Sequence, residues 1–208
     1  MRGIGLFGGT FDPIHQGHIA LAKTAQQQLE LAQVRLIPAG QPWQRKTIAS
    51  AQHRLHMTEL ACLNHPKLWV DDREIRRQKT TYTIDTLLEY RSEWGAHIPL
   101  WLILGIDAFL GLPTWHRWVE ILSLTNIAIT GRSPYSRSDL MTSEPMLLLN
   151  QMKNSTTPKW AWINMPEQPL SSTTIRHMLQ DNTRPHENQL SPLVLDYIQS
   201  HQLYSPPL

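Results

Sequence analysis

Apolar positions along the chain alternate between short continuous runs and helical spacing. Residues 2–7 form an apolar run that predicts a buried strand, and residues 8–16, rich in Gly, Pro and Asp, predict a loop. From Gly17 the apolar residues Ile19, Leu21, Ala22, Ala25 and Leu29 recur with a helical period. Val34-Arg35-Leu36-Ile37 predicts a second strand closed by Pro38, followed by loop over 38–49, helix over 50–63 and a third strand at Leu68-Trp69-Val70. A helix is expected from Tyr82 to about Trp94. Leu100-Trp101-Leu102-Ile103-Leu104 is the strongest strand signal and ends at Gly105. Beyond it the pattern predicts a helix over about 115–122 and a strand at Asn126–Thr130. Residues 133–158, rich in Ser, Pro and Thr, predict an irregular connection. Trp160–Ile163 predicts a late strand, and Ser171–Gln180 and Pro192–His201 predict two final helices.

Strands alternating with helices from the first residues imply right-handed crossovers. The expected fold class is α/β, a Rossmann-like doubly wound parallel sheet covered on both faces, with a small C-terminal helical region. We expect a single domain over 1–208, with 165–208 as the helical subregion. In such sheets ligands bind beyond the carboxyl ends of strands, which here fall after Phe7, Ile37 and Leu104. Gly3-Ile4-Gly5-Leu6-Phe7-Gly8 has the spacing of a dinucleotide fingerprint. That fingerprint needs a strand before its first glycine, and only two residues precede Gly3. Gly3 and Gly5 read better as positions of close approach to the strand.

Composition narrows the classes. Hydrophobic residues are 41% and charged residues 17%, a globular balance. A formal charge of +2 gives no case for nucleic acid. The single cysteine, Cys62, lies in Leu60-Ala61-Cys62-Leu63 and reads as a buried small hydrophobe. No internal disulfide framework is possible, and no apolar run reaches the roughly 18 residues of a membrane span, so a cytoplasmic protein is expected. His53 and His56 are expected on a solvated helix face.

The loop Gly8-Gly9-Thr10-Phe11-Asp12-Pro13-Ile14-His15-Gln16-Gly17-His18 carries the chemistry. Two glycines after a strand let backbone N–H groups approach an anion, and Thr10 adds a hydroxyl. Gly17 and His18 open a helix whose N-terminus favours negative charge. His15 and His18, three apart, can both face that end. A metal pair completed by Asp12, or a structural turn with incidental histidines, would use the same residues. The glycines, the hydroxyl and the helix start together favour an anion cradle.

That loop resembles the signature of the nucleotidyltransferase superfamily with the His-x-Gly-His motif. Ser171-Ser172-Thr173-Thr174-Ile175-Arg176 resembles its second phosphate-binding motif, and Gly105-Ile106-Asp107 its Gly-x-Asp nucleotide contact. More narrowly, Tyr82-Thr83, Leu112-Pro113-Thr114-Trp115 and the tail from Leu193 to Tyr204 are similar to bacterial nicotinate-mononucleotide adenylyltransferases. Matched blocks run from residue 3 to residue 204. The chain departs from that family before Tyr82, where Lys79-Thr80-Thr81 replaces the usual Gly-Pro-Ser, and the register of Arg45 against Lys46 in the basic loop stays open.

The resemblance implies attack of the 5′-phosphate of nicotinate mononucleotide on the α-phosphorus of ATP, with Mg2+ brought by ATP and no metal held by a protein cage. It implies His15, His18, Thr10 and Arg176 as catalytic. Gly8, Gly9, Phe11, Lys46, Gly105, Asp107, Ser172 and Thr173 would bind the nucleotide. On the pyridine side it implies Tyr82, Thr83, Trp115 stacking on the ring, and the backbone of His116 at a helix start. Another adenylyl- or cytidylyltransferase of the superfamily, such as pantetheine-phosphate adenylyltransferase, or a silent nucleotide sensor, is the competing reading. The expected partners are ATP and nicotinate mononucleotide, with no nucleic acid and no membrane.

Overall fold

The computed structural model describes residues 2–43, 46–77, 79–131, 134–152, 159–166 and 169–205. In chain order the elements are β1 (Ile4–Gly9), α1 (Gln16–Gln28), β2 (Gln33–Pro38), β3 (Gln41–Pro42), α2 (Ala51–Cys62), β4 (Leu68–Val70), α3 (Arg73–Arg76) and β5 (Thr80–Thr81). There follow α4 (Thr83–Trp94), β6 (Leu100–Gly105), α5 (Ile106–Leu110), a 3₁₀ turn at Leu112–Thr114, α6 (Trp118–Leu124) and β7 (Asn126–Thr130). The last elements are α7 (Arg137–Thr142), α8 (Glu144–Gln151), β8 (Trp160–Ile163), α9 (Ser172–Gln180) and α10 (Pro192–Ser200).

A six-stranded sheet has the order β4-β2-β1-β6-β7-β8, and β3 pairs with β5 in a separate parallel ribbon. The pairs β1–β6, β6–β7 and β7–β8 are parallel, with Ile4 opposite Leu100 and Leu102 opposite Ile127. Chain order reverses at β1, so the loop after β1 leaves the sheet at a topological switch point, where α/β sheets place ligands. The α/β class expected from alternation is what the chain forms.

By proximity the chain divides into two compact units. The first comprises Met1–Phe7, Ala22–Val34 and Tyr82–Glu167. Its core is built on β6, whose unbroken apolar run suits a strand covered on both faces: Leu100, Leu102, Ile103 and Leu104 are all buried. Ile84, Leu87 and Tyr90 supply the buried stripe of α4. Gly3 and Gly5 are places of close approach by protein: a Cβ at Gly3 would meet the Pro99 carbonyl at 2.9 Å, and one at Gly5 would meet Val34, Ile103 and Leu31.

The irregular connection expected over 133–158 contains α7 and α8. Its polar residues are helix starts. Ser136 and Asp139 form a reciprocal capping box, Ser143 is the next N-cap, and Pro145 sits in the first turn of α8. The helix expected at 115 begins at Trp118, because Arg117 sits in the left-handed region at φ 54 and forks onto Glu120 at 2.8 and 2.6 Å.

The second unit comprises Gly8–Leu21, Arg35–Thr81 and Gln168–Leu208. Helix α2 buries Arg54, Met57, Thr58 and Cys62, and Ser50 caps it by accepting the His53 N–H. Burial pushes the Cys62 thiol up to about 12. We expect a thiol reagent at pH 8 to label Cys62 only after denaturation, since the thiolate is the reactive form; rapid labelling of the native chain would contradict its placement. His53 corrects the expectation of a solvated face. It is half-buried, and its Nδ1 lies 2.9 Å from the Tyr197 hydroxyl of α10, whereas His56 is exposed and pairs with Glu59 at 3.4 Å.

Candidate active site

The second unit assembles most of the expected phosphate-binding residues. Gly8 and Gly9 complete β1 rather than opening the loop, and the Gly9 carbonyl accepts the Ala39 N–H at 2.9 Å. Nothing lies within 4 Å of where a Cβ on Gly8 would sit, so the strand end is open there. A Cβ on Gly9 would strike the Phe11 ring at 2.7 Å. Phe11 itself is at φ 49 and 1% exposed. Such a backbone on a bulky residue costs on the order of 1–3 kcal/mol and persists where its surroundings impose it. The ring of Phe11, a residue expected to bind the nucleotide, is buried and edge-on to His18 at 5.1 Å.

His15 precedes the first residue of α1, and its carbonyl accepts the His18 N–H at 2.9 Å. The His18 ring folds back so that Nδ1 accepts the His15 N–H at 3.2 Å, the return half of a capping box with imidazole in place of a carboxylate. A ring nitrogen that accepts an N–H carries no proton, so the proton of neutral His18 sits on Nε2 and makes that atom a donor. The His15 ring stacks on His18 at 3.8 Å and 30°. Held between His15 and Phe11, the His18 ring is pre-oriented. His15 is 7% exposed, so the two histidines are not equivalent.

Helix α9 begins against the same loop. Ser171 accepts the Thr174 N–H at 3.0 Å, and Ser172 donates its hydroxyl to the Pro13 carbonyl at 2.9 Å. The Ser172 hydroxyl proton is thus committed to Pro13, and its amide lies in the first turn of α9, where N–H groups lack intrahelical acceptors. Arg176 donates to the Asp12 carbonyl at 2.6 Å and to Thr173 Oγ1 at 3.2 Å. The guanidinium has five N–H groups, so these bonds aim the fork without exhausting it. Lys46 is exposed; Arg45 lies outside the described residues.

Two buried charged residues, one in this loop and one on α2, have partners that sequence reasoning missed. Asp12, considered above as a metal ligand, is 3% exposed and accepts from Ile48 N–H at 2.7 Å, Ala49 N–H at 3.1 Å and the Tyr204 hydroxyl at 2.6 Å. Arg54 is 0% exposed and donates to the carbonyls of Thr10 at 2.7 Å, Gly40 at 3.1 Å and Ala49 at 3.3 Å. Burial pulls this guanidinium down from its ordinary value, and Asp12 and Tyr204 pull it back up. The available signal was a cation on the apolar stripe of α2, in helical phase with Met57 and Thr58.

The first unit holds the remaining residues. Tyr82 caps α4 and Thr83 is its first residue, with the Tyr82 carbonyl accepting from Asp85 at 3.1 Å. The rings of Tyr82 and His116 tilt together at 4.6 Å. His116 precedes Arg117, the cap of α6, so the helix-start position expected for its backbone is corrected by two residues. Trp115 is half-buried in extended backbone, with its N–H on Leu112 at 2.8 Å. Asp107 folds back toward Gly105: a Cβ there would lie 2.6 Å from Asp107 Oδ1.

Among the described residues no group of three or more His, Cys, Asp or Glu could hold a metal ion, and no helix is long and apolar enough to cross a membrane. The cytidylyltransferase-like family model matches residues 6–178. A probable nicotinate-nucleotide adenylyltransferase of Hahella chejuensis is 39% identical over 207 residues, covering 96% of this chain and 94% of the relative. The protein of that name in Pseudomonas aeruginosa is 39% identical over 213 residues, covering 98% of each. Among solved structures, Plasmodium falciparum nicotinic acid mononucleotide adenylyltransferase complexed with NaAD superposes with a TM-score of 0.76 at 20% identity, covering 98% of each chain.

Proposed function

Because the chain belongs to the cytidylyltransferase-like family and to the nicotinate-nucleotide adenylyltransferases within it, we infer that it transfers the adenylyl group of ATP to nicotinate mononucleotide. The products are deamido-NAD and pyrophosphate, and the reaction serves NAD biosynthesis. An oxygen of the mononucleotide 5′-phosphate forms a bond to the α-phosphorus as the bond from that phosphorus to the β-phosphate bridge breaks. The nucleophile is already an anion at neutral pH, so no general base is needed, and catalysis consists of positioning and charge stabilisation.

The observation that carries this reading is the His18 ring, whose Nδ1 accepts the His15 N–H and whose Nε2 therefore bears the proton, with the ring oriented at the start of α1 by its stack on His15. We assign His18 to the α-phosphate, where negative charge develops, with His15 and Thr10 beside it. Arg176, aimed by Asp12 and Thr173, takes the β/γ end together with the first-turn amides of α9 and with Lys46. Mg2+ enters as the magnesium complex of ATP. The Asp12 carboxylate is engaged by three donors and would not hold the ion, which would arrive with the phosphates and screen their charge. Gly105 and Asp107 are assigned to the adenosine, and Tyr82, Thr83, Trp115 and His116 to the nicotinate moiety, with Trp115 stacking on the ring. The free, buried Cys62 fits a cytoplasmic setting.

Pyrophosphate release with ATP and magnesium tests the assignment across nicotinate mononucleotide, nicotinamide mononucleotide and phosphopantetheine. Recognition of a carboxylate by amides and hydroxyls gives the acid a kcat/KM advantage over the amide on the order of tenfold. Equal values for acid and amide would remove the acid-specific assignment, and turnover of phosphopantetheine alone would move the chain to another branch of its family.

A further inference from the structure

Asp12 has an unusual position for a residue beside the reacting phosphates. Its side chain points away from the loop surface, is 3% exposed, and spends both oxygens on protein donors. Those donors come from far along the chain: Ile48 is 36 residues away and Tyr204 is 192. The Ile48 and Ala49 bonds tie down the segment that carries Lys46. The residue's own carbonyl holds Arg176, and the carbonyl two residues earlier, that of Thr10, holds Arg54. The buried carboxylate therefore ties its loop to two distant segments while the loop's carbonyls hold Arg176 and Arg54, and its shortest side-chain bond, 2.6 Å, is to Tyr204. That length lies in the charge-assisted range for a hydroxyl on a carboxylate.

The tail is shaped to deliver this hydroxyl. Gln202 and Tyr204 both lie in the left-handed region, at φ 53 and 60, although neither is glycine. Such backbone persists only where the surroundings impose it. Tyr204 is 5% exposed, and burial, then the bond to Asp12, hold its phenol well above the ordinary range, so it stays a donor at every working pH.

We propose that Tyr204 is a positioning residue for adenylyl transfer: through Asp12 it sets the loop that carries His15, His18 and the Arg176 anchor. This rests on the reaction assigned above. With the hydroxyl removed, Asp12 Oδ1 keeps only the Ala49 N–H, and a buried carboxylate so depleted must shift or admit water. Either response moves the carbonyl that aims Arg176. A displacement of about 1 Å at phosphate donors is costly to rate even when its origin is remote.

The test compares Tyr204→Phe, which removes only the hydroxyl, with Tyr204→Leu, which also removes the ring. Turnover by the unaltered chain is measured first; its absence would count against the assigned reaction and not against Tyr204. ATP affinity by calorimetry then reads the loop without turnover. Tyr204→Phe is expected to remain folded at assay temperature, to lose on the order of tenfold in kcat, and to bind ATP at least about threefold more weakly. Its KM for nicotinate mononucleotide stays within about twofold. Tyr204→Leu is expected to be no slower than Tyr204→Phe by more than about twofold, because the hydroxyl and not the ring carries the effect. The proposal is overturned if Tyr204→Phe matches the unaltered chain in kcat or, where no turnover exists, in ATP affinity. It is equally overturned if only Tyr204→Leu is impaired, in step with a lower melting temperature, or if Tyr204→Phe fails to fold, since the hydroxyl then acts on stability alone.

Discussion

Replacing His18 with alanine lowers kcat by about 10²–10³-fold while ATP still binds. The ring supplies one donor, Nε2, whose protonation is fixed by the bond that Nδ1 accepts from the His15 amide. Its orientation is fixed by the stacked His15 ring and the edge-on contact to Phe11. An oriented donor aimed at charge that grows in the transition state acts on kcat more than on ground-state binding. Alanine also removes the acceptor that caps the His15 N–H, a loss of about 1 kcal/mol of helix stability. His18→Asn separates the two effects, since its side-chain oxygen can restore the cap while its amide is too short to reproduce Nε2. We expect His18→Asn to recover melting temperature but not rate. Near-normal turnover in His18→Ala, measured by pyrophosphate release at saturating ATP, would end the assignment.

The largest loss of stability is expected from Arg54→Met. Methionine fills much of the same space but leaves the carbonyls of Thr10, Gly40 and Ala49 without the donor that now bridges them, and removes a buried cation that interacts electrostatically with Asp12. Breaking a buried charged network by removing one member costs roughly 3–5 kcal/mol, against a total stability of about 5–15 kcal/mol for a domain. Urea unfolding measures it directly. Arg54→Lys keeps the charge but cannot span three carbonyls, and we expect it to recover less than half of the loss. A change below about 1 kcal/mol in Arg54→Met would show that the three carbonyls find other donors.

Much of the fold is legible in the sequence because a parallel sheet writes its strands as unbroken apolar runs. Leu100–Leu104 and Asn126–Thr130 announce β6 and β7 that way. Helices α7 and α8 were hidden for the opposite reason. The Ser, Asp and Pro residues that suggest loop are their caps and first turns, and only the spacing of Ser136 to Asp139 distinguishes a capping box from a coil. The positions of His15, His18 and Arg176 near one another follow from the resemblance, and the second unit gathers them through Asp12 and Pro13. The side-chain directions of Phe11 and Ser172 were not legible because a motif gives residue order and not side-chain direction: a positive φ accompanies the buried Phe11 ring, and a 2.9 Å bond to Pro13 occupies the Ser172 hydroxyl. Arg54 and Tyr204 act on the loop through partners 44 and 192 residues away, and no local pattern encodes such pairings.

The bond between Asp12 and Tyr204 has a consequence for biosynthesis. Tyr204 leaves the ribosome 192 residues after Asp12. The segments that supply Ile48, Ala49 and Arg54 emerge early and can close around the carboxylate while synthesis continues. Its third side-chain partner arrives only with residue 204, so a nascent chain holds the loop incompletely fastened until that residue has been made. Premature termination before residue 204 would release a chain that keeps every phosphate-binding side chain and lacks the hydroxyl that completes their support.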